Sequence, residues 1–155
     1  MSGLVSVTVE MLRGELTAAE LDAIPGAVLG GESGAVDGWL AEKLVQACDR
    51  VVLALYSCRE NVAVRTGLCR VPAGCLRTVL VLARHAVIAA LPGLSDVLEG
   101  GSRSAEYATA CRELDALARC ELRPEYALAA DEVADGGGGC GFGFIFGERV
   151  DDFRW

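Results

Sequence analysis

The sequence predicts a mixed α/β (α+β) fold with a small sheet and a helical majority. Residues 4–12 alternate between aliphatic and polar side chains, a period of two that is typical of a half-buried strand. Residues 39–57 and 104–121 instead repeat apolar side chains every three or four positions, which is the period of an amphipathic helix. If residues 4–12 form no strand, the alternative is an all-α bundle.

The elements between the first strand and the long helix follow from caps and breakers. Thr17 is followed three positions later by Glu20, the capping-box pattern that starts a helix. The Pro-Gly pair that comes next is expected to end this helix. The sequence GAVLGGESGAVDG at residues 26–38 predicts a loop, and a short extended piece is expected over residues 36–40.

The most apolar stretch, VPAGCLRTVLVLARHAVIAALPGLSDVL at residues 71–98, is predicted to be a buried helix hairpin. Only 19 residues separate its two prolines, and Arg77, Arg84 and His85 interrupt them. A membrane-spanning helix needs about 20 largely uncharged residues, so no span is expected. We expect the two arginines to reach solvent. The single histidine has no catalytic partner in any linear motif, so we expect a structural role for it.

Composition and motifs exclude several kinds of function. The net charge is −8 and the basic residues are scattered, whereas nucleic-acid binders carry basic patches. None of the seven cysteines forms a CxxC pair and the chain has one histidine, so no metal site is expected. No cofactor is expected either, because the GxGxxG match in the glycine run at residues 136–141 does not lie between a predicted strand and a predicted helix. The sequence begins without an export-signal pattern, which predicts reduced cysteines and a location in the cytoplasm or nucleus. No GxSxG, HExxH or Walker pattern is present, so we expect no enzyme.

The chain divides into three predicted parts. Residues 1–101 form the main domain, residues 102–135 a helical extension, and residues 136–155 a glycine-rich joint followed by a strand. The strand is predicted from three phenylalanines in alternation: Phe142, Phe144 and Phe146. It either completes the sheet or captures a partner by strand addition, with the aromatic rings as anchors. The sequence leaves both possibilities open.

Two segments carry a resemblance to a known superfamily. They are VVLALYSC at residues 51–58 and LARHAVIAALPGLSDVL at residues 82–98. The first is similar to the LxYLYTG helix end of the BTB/POZ superfamily, and the second resembles its helix hairpin. This superfamily includes the tetramerisation domains of potassium channels and the adaptors of the Skp and elongin C type. The order of elements over residues 4–100 also resembles that fold, which implies that residues 1–101 are a BTB-like domain.

The resemblance implies a non-enzymatic adaptor for protein–protein interaction. Such an adaptor self-associates as a homo-oligomer, or bridges a bound host protein to a cullin-type ubiquitin ligase. Five residues match the partner-facing region of the family: Glu32, Trp39, Tyr56, Asp96 and Glu99. The three C-terminal phenylalanines complete the predicted partner-binding set.

The alternative function is a helical decoy that sequesters a host signalling or apoptosis protein in a groove, with no ligase involved. Lysine, asparagine and isoleucine, whose codons are AT-rich, are rare in the chain. This bias indicates a GC-rich genome. Together with the lack of a catalytic motif, it fits a protein that a DNA virus directs at its host. Both functions require a protein partner, and neither requires nucleic acid or a membrane.

Overall fold

The computed structural model describes residues 3–28, 33–58, 69–91, 93–94, 98 and 101–124. Helix accounts for 73% of these residues, and two short strands pair as an antiparallel sheet. The predicted α+β class, with a small sheet and a helical majority, is therefore confirmed. The all-α alternative does not hold for the described residues, because two segments far apart in the sequence pair as strands.

In these residues the chain forms two strands and five α-helices. They are β1 (Leu4–Ser6), α1 (Val9–Gly14), α2 (Ala18–Ala27), α3 (Ser33–Ser57), β2 (Arg70–Pro72), α4 (Leu76–Ala89) and α5 (Ser102–Ala118). A short 3₁₀ turn at Ala73–Cys75 connects β2 directly to α4. The division of the chain after residues 101 and 135 stays a prediction.

The first strand is shorter than the alternation over residues 4–12 predicts. β1 pairs with β2 in the register Leu4 to Pro72, Val5 to Val71 and Ser6 to Arg70. The strand then ends because the Thr8 hydroxyl accepts a hydrogen bond from the Met11 amide at 3.4 Å and caps α1. The predicted strand therefore ends at Ser6, and from Val9 onwards the chain is helical.

The capping box of α2 is confirmed. The Thr17 amide donates to Glu20 Oε2 at 2.7 Å, and the Glu20 amide donates to Thr17 Oγ1 at 3.4 Å. The helix nevertheless continues through Pro25 to Ala27, so the predicted stop is wrong. Proline removes one N–H donor, but Ile24 beside it is fully buried and its carbonyl still accepts from the Val28 amide at 3.1 Å.

The long helix α3 begins at Ser33 rather than at residue 39. The predicted loop is therefore wrong from residue 33 onwards, and the extended piece over residues 36–40 is helical. Val36 and Leu40 are 9% and 0% exposed. These two positions, one helical turn apart, extend the buried stripe of α3 towards its N-terminus, and their burial outweighs the low helix propensity of the neighbouring glycines.

The centre of the core is α4, which is buried on most sides as the sequence predicts. α3 and α5 pack against α4 and against each other, and α1 packs against α3 and α4. The largest fully buried aliphatic side chains come from all of these helices and from α2: Leu12, Ile24, Leu40, Leu55, Leu82, Ile88 and Leu117. Among the described residues, no helix has the length and apolar character that crossing a membrane requires.

Candidate protein interface

The exposed side of α3 is the candidate protein interface. Five side chains opposite the core make up what we call the α3 outward face: Glu42, Gln46, Asp49, Leu53 and Tyr56. Leu53 is 66% exposed and Tyr56 is 45% exposed. Two large apolar side chains therefore face solvent one helical turn apart, beside a row of polar side chains.

The position of this face follows from the apolar repeat of α3. The opposite side of the helix is a stripe of side chains that are each at most 2% exposed: Leu40, Leu44, Cys48, Val51 and Leu55. Since an α-helix has 3.6 residues per turn, that stripe turns the outward face away from the core. The Gln46 side-chain amide donates to Glu42 Oε1 at 3.1 Å, which orders the polar part of the face.

Trp39 lies in the second turn of α3. Its ring is half-buried and packs against the core, and the Lys43 ammonium lies 5.5 Å from the ring centroid. This distance allows a cation–π interaction. Seventeen residues of helix place Trp39 roughly 25 Å along the axis from Tyr56, so the two predicted anchors are at opposite ends of one helix.

The structure describes two of the eight predicted partner-binding residues. Trp39 and Tyr56 both belong to α3. The other six lie outside the described residues: Glu32, Asp96, Glu99, Phe142, Phe144 and Phe146. Leu53 was missed, although a signal for it is present in the sequence. It is an aliphatic residue that falls outside the buried stripe of its own helix.

Arg84 is buried, which contradicts the prediction that both arginines of α4 reach solvent. Its side chain is 8% exposed, whereas that of Arg77 is 58% exposed. Arg84 pairs with Glu106 of α5 and lies 3.4 Å from Glu15 Oε2 at the end of α1. Arg77 reaches the same Glu15 oxygen at 2.9 Å. A buried arginine requires such partners because an unpaired charge in the core is strongly unfavourable.

The hydrogen bond from Arg84 is also the main reason that the pKa of the Glu106 carboxyl lies below its ordinary value. A second ion pair joins Arg103 of α5 to Glu20 of α2, whose side chain is 4% exposed. These pairs attach α5 to the N-terminal helices. We therefore assign this charged cluster a structural role.

A groove of about 240 Å³ lies between α4 and α5. Its lining includes Thr78, whose hydroxyl donates to Glu113 Oε2 at 2.5 Å, and the apolar side chains of Val81 and Ala110. Small-molecule sites typically enclose about 300–1,000 Å³. The groove is smaller than that and its polar groups are paired with each other, so it is not our candidate site.

His85 is half-buried and stacks on the Tyr107 ring of α5, with a centroid distance of 3.6 Å and an interplanar angle of 13°. Burial lowers the pKa of this histidine, and the nearby Arg50 of α3 lowers it further. The ring is therefore neutral near pH 7. This contact fits the structural role that the sequence predicts.

Replacing His85 by phenylalanine is expected to flatten the pH dependence of the free energy of unfolding between about pH 7 and 5.5. The pKa of His85 is lowered in the folded chain. The unfolded chain therefore takes up the proton at higher pH, and stability falls as the pH drops through the ordinary histidine pKa. Phenylalanine keeps a ring against Tyr107 but does not titrate.

Urea unfolding at several pH values measures the slope of the free energy of unfolding against pH. Tyr107→Phe is the control, and it should keep the wild-type slope of the free energy of unfolding against pH. A wild-type slope in His85→Phe would contradict the prediction.

The expectation that all cysteines are reduced is wrong for two of them. Cys58 at the end of α3 forms a disulfide with Cys120, just after α5. The pairing requires the C-terminal ends of two helices to meet, and the two residues are separated by 62 positions in the sequence. Four cysteines of the described residues are free: Cys48, Cys69, Cys75 and Cys111. No group of three or more potential metal ligands occurs in this part of the chain.

Comparison of this chain with protein-family models, with curated proteins and with solved structures finds no match. The BTB/POZ resemblance thus stays a prediction.

Proposed function

We propose that this chain is a protein-interaction module that binds a protein partner through the α3 outward face and acts without catalysis. One observation carries the proposal. Leu53 and Tyr56 are exposed on one side of a helix whose opposite side is fully packed. Neighbouring large apolar side chains with a polar surround are typical of protein-binding surfaces, and tyrosine is enriched among residues that dominate binding energy.

The expected contribution of Leu53 and Tyr56 to the free energy of binding is consistent with a role as binding anchors. Covering a leucine side chain that is two-thirds exposed contributes on the order of 1–2 kcal/mol. A buried interfacial tyrosine contributes about 2 kcal/mol or more when it is a hot spot. Together they favour a specific complex only if the partner also meets the polar part of the face, Glu42, Gln46 and Asp49.

The finer form of the proposal is the adaptor that the BTB/POZ resemblance implies. In that form the chain self-associates, or bridges a host protein to a cullin-type ubiquitin ligase, and a DNA virus encodes it. Trp39 and Tyr56 are the described residues that match the partner-facing region of that family. The alternative is a decoy that sequesters a host signalling or apoptosis protein without a ligase.

The test is quantitative affinity purification from cell lysate with the full-length chain. We expect the double variant Leu53→Ala/Tyr56→Ala to capture at least tenfold less partner than the wild-type chain does. Met11→Ala/Leu122→Ala is the matched control, because it removes two large apolar side chains that are exposed outside α3, and it should capture close to the wild-type amount of partner. Both variants alter exposed side chains, so their unfolding midpoints should stay close to that of the wild type. Capture of the partner at the wild-type level by Leu53→Ala/Tyr56→Ala would contradict the proposal.

The identity of the captured protein separates the two finer forms. A cullin that co-purifies and depends on Leu53 and Tyr56 supports the adaptor. A signalling or apoptosis protein captured without a cullin supports the decoy. Self-association is measured separately, by sedimentation of the purified chain.

A further inference from the structure

The α3 outward face follows a straight line along the helix with a period of seven residues. Glu42, Asp49 and Tyr56 are seven positions apart, and Gln46 and Leu53 lie between them with the same separation. All five side chains are exposed, and the face is roughly 21 Å long at 1.5 Å per residue. Spacings of four and three residues keep side chains aligned with a second helix that packs alongside, as in a coiled coil. The face therefore has the geometry of one side of a helix pair.

The two ends of this face differ in chemistry. The end nearest the C-terminus of α3 carries the exposed side chains of Leu53 and Tyr56. The other end carries the carboxylates of Glu42 and Asp49, and within the described part of the chain neither of them forms an ion pair. Covering a carboxylate is unfavourable unless the covering surface supplies a positive charge or hydrogen-bond donors. A partner that covers the whole face must therefore be apolar at one end and basic at the other.

Two basic residues follow these carboxylates in the sequence, but they lie to one side of the face. Lys43 and Arg50 are each one position beyond an acidic residue, which turns them by about 100° around the helix axis. The Lys43 ammonium lies 5.5 Å from the centroid of the Trp39 ring, so it already has a neighbour that attracts a cation. The charged side chains on the α3 outward face itself are both negative.

A second copy of this chain does not supply the complementary charge. Parallel pairing of two α3 helices along this face sets Glu42 against Glu42 and Asp49 against Asp49, and such juxtaposed like charges repel. Antiparallel pairing over the full face instead sets Glu42 against the apolar end of the other copy, where its charge has no partner. The net charge of −8 adds to the repulsion between copies. The face therefore favours a different partner, one that carries positive charge.

We propose that the α3 outward face binds a basic amphipathic helix of its partner. Apolar side chains of that helix cover Leu53 and Tyr56. Arginine or lysine side chains further along the same side of the helix pair with Glu42 and Asp49. Arginine is the better match, since its planar guanidinium can hold a carboxylate through two parallel hydrogen bonds. This inference rests on the proposed function and names the chemistry of the partner.

The test uses two synthetic helical peptides of about three heptads, each labelled with a fluorophore and titrated with the full-length chain. The basic peptide carries leucine at the positions that face Leu53 and Tyr56, and arginine at the positions that face the two carboxylates. The acidic peptide has glutamate in place of arginine. Each peptide is made with both orders of these side chains, so that one order matches in either helix direction. Fluorescence anisotropy should give a dissociation constant at least tenfold lower for the basic peptide.

Charge-reversed variants show whether the face itself causes this preference. Glu42→Arg/Asp49→Arg should reverse it and bind the acidic peptide more tightly. Asp22→Arg/Asp115→Arg is the matched control, because it changes the net charge equally at two exposed carboxylates of α2 and α5. This control should keep the wild-type preference, which separates local pairing from the general attraction between an acidic chain and a basic peptide.

Several outcomes would overturn the inference. They are equal affinity of the wild-type chain for the two peptides, no binding of the basic peptide in either order, and an unchanged preference in Glu42→Arg/Asp49→Arg. The first two are measured on the wild-type chain and do not depend on the folding of a variant. Self-association of the wild-type chain that Leu53→Ala/Tyr56→Ala abolishes would also overturn it, because a second copy would then occupy the face.

The same apolar variant separates this inference from the proposed function. Leu53→Ala/Tyr56→Ala should bind the basic peptide at least tenfold more weakly than the wild-type chain does. If this variant loses the lysate partner while the wild-type chain shows no preference between the peptides, the inference fails and the proposed function stands. If it captures the wild-type amount of partner, the proposed function itself fails.

Discussion

Reducing the Cys58–Cys120 disulfide is expected to lower the free energy of unfolding by about 4 kcal/mol. The bond spans 62 positions of the sequence and thereby restricts a long loop of the unfolded chain. Chain-entropy estimates for a loop of this length give that magnitude. Because domains are typically stable by only about 5–15 kcal/mol, the reduced chain should unfold at much lower denaturant concentrations.

Urea unfolding with and without a thiol-free reductant measures this effect. Cys120→Ser should reproduce the loss without reductant, and reductant should have no further effect of that size on this variant. Cys111→Ser is the matched control from α5, the helix that precedes Cys120, and its disulfide remains intact. Equal midpoints for the oxidised and reduced wild type would contradict the prediction.

Replacing Arg84 by methionine is expected to cost about 3 kcal/mol of stability. Methionine fills much of the volume of arginine but leaves Glu15 and Glu106 without the partner that lies deepest in the core. The arginine side chain is 8% exposed, whereas the two carboxylates are 24% and 38% exposed. Water reaches these carboxylates, which places the expected loss at the low end of the range for a broken buried pair.

Arg77→Met is the matched control, because Arg77 belongs to the same helix and pairs with the same two carboxylates, those of Glu15 and Glu106. Arg77 is 58% exposed, so its loss should cost at most about 1 kcal/mol. Chemical unfolding of the two variants compares them directly. A similar loss of stability in both variants would show that the burial of Arg84 does not determine how much these ion pairs stabilise the fold.

The same cluster should make the chain sensitive to acid. The pKa of Glu106 is lowered in the folded chain, chiefly by its hydrogen bond with Arg84. Its contribution to stability is therefore present above the ordinary glutamate pKa and is lost as the pH falls through the lowered value. In Arg84→Met this acid-dependent loss should be smaller, which unfolding curves below pH 5 would reveal.

Much of the helical part of the fold could be predicted because its signals are local. The apolar repeat of α3 lies within one segment, and so does the capping box of Thr17 and Glu20. The burial of α4 also follows from its own composition. The predicted bounds were less accurate wherever a contact from outside the segment decided the conformation, as with the early start of α3 at Ser33.

The candidate interface was only partly predicted. Tyr56 came from a resemblance and lies on the α3 outward face, whereas Trp39 packs partly against the core. Leu53 could have been recognised by asking which apolar side chains of the helix fall outside its buried stripe. The period of the apolar side chains predicts the buried stripe, and apolar side chains that fall outside this period are expected at the surface.

The sequence by itself determined the α+β class, the places of the principal helices and the burial of α4, because these depend on the spacing of side chains along one segment. Only the tertiary structure decided that Arg84 is buried against Glu106 and that Cys58 bonds to Cys120. Each of these pairings joins residues from different elements. Their distance is set by how helices and strands pack together, which no local pattern of the chain records.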